Sequence, residues 1–368
     1  MTVSEILKRE NNNIDLVRLL AALLVAYVHV FALFDKPFLS VPLPVGWGAG
    51  GLGVAIFFFL SGLLVTNSLL SKKNPKAFAW ARFMRIYPAF FVMLLVSVFV
   101  VGPIFTTLSV GDYFCSSETW QFLGRNARLD IQYVLPGLWQ ERLCESVNGS
   151  AWTIPLEVGC YIALLFSFAL CRYFKLKPWP FFAVALVCAF LPHEWFLNLI
   201  GIGYSIIDHT YLFCFTAGAA MALYKDKVRI DKTLIVVLLI MCVMVWRYQH
   251  VIQYLFPLTV SIVLLYATSV VPLVKLRPRH DVSYGLYLWH WPVYQVMFTF
   301  LSGINPYLFF VVSLTVTLAI AYLSARLVEE PCQNLGRRLG KRETKLPDNG
   351  LLLIVLMTLA FLIAKFLF

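Results

Sequence analysis

Long apolar runs separated by short polar stretches set the pattern of this chain. The runs cover about 16–34, 52–70, 86–105, 152–171, 179–192, 211–224, 233–249, 252–272, 283–301, 306–325 and 350–368. A helix needs roughly 17–25 residues to cross a bilayer, so 179–192 and 211–224 are short and the others long enough. Backbone polar groups in lipid must be satisfied within the segment, which makes helix the expectation for every run. The predicted fold is all-α: a polytopic transmembrane helical bundle of about 10–11 spans. Residues 1–345 are expected to form the main transmembrane domain, and 346–368 an additional C-terminal transmembrane helix. There is no internal repeat and no low-complexity tract.

Composition agrees. Of the 368 residues, 60% are hydrophobic and 13% charged, where a soluble domain averages about 25% charged. The opening MTVSEILKRENNN is polar, and no cleavable signal peptide is expected. A net charge of +11 would suit nucleic acid, but the Lys and Arg residues sit in short clusters between apolar runs. That placement belongs to the cytoplasmic loops of a membrane protein, so no nucleic-acid partner is expected. With the N-terminus cytoplasmic, 24 of the 30 basic residues fall on one side. To keep that bias, FLNLIGIGYSII (196–207) is read as an outer loop or half-helix rather than a further span. The longest outer segment, 106–151, holds Cys115 and Cys144. A disulfide and two separate thiols are both open for them.

Ionisable residues inside spans cost about 2.5–3.5 kcal/mol each on insertion scales, so they are functional candidates by default. Arg18 and His29 are eleven residues apart in the first span. At 100° per residue they point within about 20° of each other, roughly 16 Å apart along the axis. Asp15, one turn before Arg18, is placed to pair with it. His29 sits in the outer half of the span, too deep to reach the cytoplasmic face. Imidazole titrates near neutrality and can take a proton from a hydroxyl; the bland alternative is a hydrogen-bonded structural histidine. ARFMRIYP opens the third span with Arg82 and Arg85 on one helix face at the cytoplasmic boundary. Two guanidinium forks there suit a phosphate-bearing ligand, against the alternative of ordinary positive-inside decoration. In WTIPLEVGCY, Glu157 is expected about one and a half turns in from the outer face, after Trp152. In SYGLYLWHWPVY, Tyr287 and His290 share a face, and Pro292 is expected to break the ladder beyond them. GWGAGGLG (46–53) follows no strand and reads as a flexible turn rather than a dinucleotide loop. GxSxG, HExxH and CxxC are absent, and no metal site is expected.

These blocks together resemble the acyltransferase 3 family of bacterial integral-membrane acyltransferases, over roughly residues 11–340. The likeness rests on Arg18 and His29 with ten residues between them, FFFLSGLLV (57–65), Arg82 and Arg85, WTIPLE (Trp152, Glu157), SYGLYLWHWP (283–292) and VEEPCQNLGRR (328–338). Each block is weak alone; six in order are strongly specific. Two departures stand out. Members often carry Ser-Val-Glu-Glu where this chain has Pro155-Leu156-Glu157-Val158, and an aromatic where it has Cys332.

The resemblance implies a multi-pass enzyme of the bacterial inner membrane that O-acetylates surface or exported glycans from cytosolic acetyl-CoA. No cofactor is bound permanently; an acyl-CoA is the co-substrate, and the acceptor is a glycan or lipid-linked saccharide. His29, Arg18 and Glu157 are the expected catalytic residues, and Arg82 and Arg85 contact the coenzyme. Asp15, Ser61, Trp152, Tyr287 and His290 are expected to support the substrates. The mechanism expected is direct transfer with His29 as general base, along one polar track joining a cytosolic coenzyme pocket to an outer acceptor. An acyl-enzyme on His29 or Ser61 is the rival chemistry. A transporter or flippase is the rival function, but the inverted repeats with paired broken helices that it calls for are not found.

Overall fold

A computed structural model describes residues 1–36, 48–72, 74–175, 206–269 and 271–341. The expected runs at 179–192 and 350–368, and most of 196–207, lie outside the described residues.

The described residues form α1 (Ile14–Leu33), α2 (Ala49–Lys72), α3 (Pro75–Val96), α4 (Ser117–Ala127), α5 (Thr153–Tyr173) and α6 (Ile206–Leu223). They continue with α7 (Lys232–Met244), α8 (Gln249–Thr268), α9 (Ser283–Leu301), α10 (Pro306–Ser324) and α11 (Glu330–Lys341). Helix starts follow local chemistry. The Asn13, Asn74 and Asp231 side chains accept from the backbone N–H of Leu16, Ala77 and Leu234, filling donors that the first turn leaves open. Among the described residues six helical stretches are long and apolar enough to cross a membrane, and α6 and α7 are shorter apolar helices. No strand is present among the described residues, only one isolated bridge between Thr2 and Arg229. The protein is a multi-pass helical membrane bundle.

Its centre is α2, with 78% of its most apolar stretch buried against 33–44% in the other five. Small residues allow that burial. A Cβ on Gly62 would collide with the carbonyl of Phe215 in α6, and one on Gly218 with the carbonyl of Phe59 in α2. The two backbones cross in contact at this pair of glycines, as helices in lipid do where dispersion contacts drive association.

The face that carries the N-terminus and the basic loops is knitted together by those segments. Val3 N–H donates to Val228 O at 3.0 Å and Ser4 N–H to Lys225 O at 2.9 Å. The Arg277 guanidinium donates to the carbonyls of Arg9 and Asn12, and Asn13 Nδ2 to Leu273 O at 2.6 Å.

Two expectations need correction: the start of the third helix and the course of segment 106–151. The third helix starts at Pro75 rather than 86, so Arg82 and Arg85 lie two to three turns inside α3 instead of at its end. The ninth span keeps its expected bounds: Pro292 removes one ladder donor, and α9 runs through it from Ser283 to Leu301. Segment 106–151 is not a purely outer loop. Tyr113 Oη donates to Val98 O, and Tyr87 Oη to Ala127 O, so α4 runs back down the side of α3. From Cys144 on the chain descends along α9: Gln295 Nε2 donates to Cys144 O, Trp291 Nε1 to Ser146 O, and Asn148 Nδ2 to Leu288 O. Thr153 Oγ1 lies 2.7 Å from Tyr287 Oη, little more than one turn into α9. Hence α5 starts deep in the bundle, and Glu157 is deeper still. Cys115 and Cys144 are separate thiols here.

Candidate active site

The site is built where α1, α2, α3, α5 and α9 meet. At the end nearer the N-terminus of α1, Asp281, just before α9, takes the Arg18 guanidinium from α1 and Arg85 Nη2 from α3, the latter at 2.9 Å. Asp281 is oriented by Ser283, whose Oγ donates to Oδ1 at 2.6 Å and whose N–H donates at 3.2 Å. Burial alone would raise this carboxyl; Arg18, Arg85 and Ser283 outweigh it and hold it well below the ordinary range. The partner of Arg18 is thus Asp281 and not Asp15, because it is the end of α9 that reaches the Arg18 face of α1. Nearby, Glu329 is buried in the π turn Ala325–Glu329 that joins α10 to α11, accepting from Ser324 Oγ at 3.0 Å.

One layer further in, Glu157 accepts from the Tyr161 hydroxyl one turn along α5 and from Ser61 Oγ of α2 at 3.2 Å. Ser61 Oγ and Tyr161 Oη are themselves 2.7 Å apart. The Arg82 guanidinium lies 6.0 Å over the rings of Phe78 and Tyr161. Its Nε is buried with no hydrogen-bond partner among the described residues.

Above this layer stand the two imidazoles. His29 Nδ1 is 2.7 Å from His290 Nε2, and His290 Nδ1 is 3.1 Å from Leu286 O. His290 is fully buried and His29 half-buried. Trp291 packs edge-on against His29, with centroids 4.6 Å apart.

Two spaces serve these residues. A cavity of about 50 Å³ is lined by Arg18, Ser61, Arg85, Glu157, Tyr284 and Tyr287 among others. That is room for a few waters or a small acyl group. A far larger groove, about 1110 Å³, runs between α3 and α5 past Arg82, Tyr87, Trp152 and Tyr161 to Arg125 and Arg128. Ile86 lines both spaces. His29 lines neither. Tyr287, which does line the cavity, has its ring centroid 6.0 Å from that of His290.

The expected site residues are therefore largely brought together, with Asp15 left aside. The sequence reading missed Asp281 and Tyr161. Tyr161 had a signal, lying four residues after Glu157 on one helix face. Asp281 lies outside every span and had none beyond its place just before an apolar run.

A family profile described as an acyltransferase domain matches residues 11–326. The chain belongs to the acyltransferase 3 family. Within it, the chain is 29% identical over 347 residues to an O-acetyl transferase of Shigella phage Sf6, covering 87% of this chain and 96% of that protein. It is 26% identical to Nodulation protein 10 of Rhizobium leguminosarum bv. viciae, covering 88% and 94%. It is also 26% identical to the peptidoglycan O-acetyltransferase OatA of Listeria monocytogenes, covering 79% of this chain and 52% of that longer protein. No solved structure matches the chain. Membership settles the general reaction, acyl transfer.

Proposed function

We propose that this acyltransferase moves an acetyl group from cytosolic acetyl-CoA to a hydroxyl of a glycan presented at the outer side of a bacterial inner membrane. The relatives named as O-acetyl transferases support the acetyl group and the oxygen acceptor, and the one named for peptidoglycan supports a saccharide. The observation that carries the reading is the stacking of one imidazole above two cationic layers within a single bundle. Arg82, half-buried on the groove wall with its Nε unfilled, suits the coenzyme's phosphates. Arg85 and Arg18, tied to Asp281, hold the floor of the cavity.

In the proposed step His29 removes the acceptor proton as the hydroxyl oxygen attacks the thioester carbonyl. The C–O bond forms, the C–S bond breaks, and the coenzyme leaves as a thiol after His29 returns the proton. Tyr287, on the cavity wall, packs beside His290, the partner of His29, so the cavity adjoins the imidazole pair. General-base help is worth about 10²–10⁴-fold, so His29→Ala is expected to lose at least about 10²-fold in transfer of labelled acetyl to acceptor by membrane vesicles, with normal membrane yield. Undiminished turnover in that variant would remove His29 from the chemistry.

The contacts of Ser61 support a second reading, an acyl-enzyme on its Oγ with Glu157 taking the proton. Labelled acyl retained on wild-type protein and lost in Ser61→Ala would favour it over direct transfer.

A further inference from the structure

We infer that His290 is a positioning residue for His29: it holds the His29 proton on Nδ1 and so leaves Nε2 as the atom that meets the acceptor hydroxyl. The inference rests on the proposed role of His29 and adds to it which nitrogen acts and what makes it act. A backbone carbonyl oxygen can only accept. Leu286 O lies 3.1 Å from His290 Nδ1, so that nitrogen carries a hydrogen. A neutral imidazole has one N–H, and His290 Nε2 is then a lone pair. Its neighbour at 2.7 Å is His29 Nδ1, which must therefore be the donor. The single proton of a neutral His29 is spent on that bond, and its Nε2 is left basic.

Ring geometry agrees. The two imidazoles are within 9° of parallel with centroids 5.0 Å apart. A nitrogen–nitrogen distance of 2.7 Å at that separation places them end to end, with the N–H of one aimed at the lone pair of the other. His290 cannot easily turn away. It is fully buried, and Tyr294 meets its ring edge-on at 5.5 Å. The next residue, Trp291, is tied by Nε1 to Ser146 O at 2.8 Å while its ring walls His29. The relay thus runs from the α9 backbone through His290 to His29. When His29 takes the acceptor proton on Nε2 it becomes a cation whose Nδ1–H still donates to a neutral His290, a bond that strengthens with the charge. No proton leaves His290, and the proton on His29 Nε2 passes to the departing thiolate.

The test compares His290→Leu, which removes the acceptor, with His290→Gln, which supplies an amide oxygen in its place. The expected result is about a 10²-fold loss of kcat in His290→Leu, at the lower end of what general-base catalysis is worth, with KM for acetyl-CoA within about twofold. His290→Gln is expected to recover most of that loss. Wild-type kcat in the leucine variant, or equal losses in both, overturns the inference. Nitrogen-15 spectra of imidazole-labelled protein in detergent give a readout that needs no variant of His290. The His29 resonances, identified by their disappearance in His29→Gln, are expected to show hydrogen on Nδ1 and none on Nε2 at neutral pH. The opposite tautomer overturns the inference. Full turnover in His29→Ala removes the base reading instead and leaves the tautomer measurement standing, so the two failures are distinct.

Discussion

At the scale of residues, Asp281 joins two arginines from different helices and keeps them from repelling each other. Removing one partner of such a half-buried cluster leaves charges uncompensated, at a cost below the roughly 3–5 kcal/mol of a fully buried pair. Asp281→Asn is expected to lower the midpoint of thermal unfolding in detergent sharply. The pH dependence follows from the direction of its shift. A carboxyl held low in the folded state contributes stability that is fully present above the ordinary value of about 4 and lost only as pH falls through the folded value. The gap between wild type and Asp281→Asn should therefore stay constant from pH 5 to pH 8; a gap that closes towards pH 5 contradicts the pairing. Arg82 and Arg85 should separate in the same way that their partners do. Arg82→Ala is expected to raise KM for acetyl-CoA about tenfold or more, as loss of a charge-assisted contact of about 1.5–3 kcal/mol implies. Arg85→Ala should instead lower stability, measured in the same unfolding experiment. An unchanged KM in Arg82→Ala would take the coenzyme away from the α3–α5 groove.

At the scale of elements, helices form here for lack of an alternative, and prolines do not end them. Pro88, Pro257 and Pro292 all sit inside helices that continue past them. In water a proline ends a helix because a broken end can be solvated; in lipid and in a packed bundle the helix persists, and neighbours satisfy the freed group. The start of α3 was misplaced because local hydropathy misled. Residues 75–85 mix Lys and Arg with aromatic side chains, so hydropathy alone stops short of them, while Asn74 caps the helix there. Close crossing matters as much as length. Gly62→Leu forces a branched side chain into the Phe215 carbonyl and is expected to cost at least the ~1–3 kcal/mol of core overpacking. Loss of the monodisperse peak in detergent chromatography is the expected readout, and normal behaviour would place the α2–α6 contact elsewhere.

For the whole molecule, orientation is the property most open to a direct check. Cys115 is exposed in the segment assigned to the outer side, and Cys332 lies in α11 on the cytoplasmic side. On intact cells a membrane-impermeant maleimide is expected to label Cys115 in a background lacking the other thiols, and to label Cys332 only after permeabilisation. The reverse pattern would invert the topology and with it the direction of transfer.

The chain by itself determined that this is a bundle of apolar helices, which end its basic loops share, and which family motifs it carries. Those are decided by the transfer of side chains and backbone to lipid and by the charge of short loops, both local sums over the sequence. Arg18, His29, Arg82, Glu157 and His290 were legible because charge and imidazole inside apolar runs are costly and stand out. Their partners were not. Asp281 binds Arg18 across 263 positions and His290 binds His29 across 261. Such pairings depend on which helix packs against which, and on a loop that folds back into the bundle, and no periodicity along one helix contains that information. Tertiary packing alone decided that the imidazole has a second imidazole behind it, and that Tyr287 of the cavity wall packs beside that second ring.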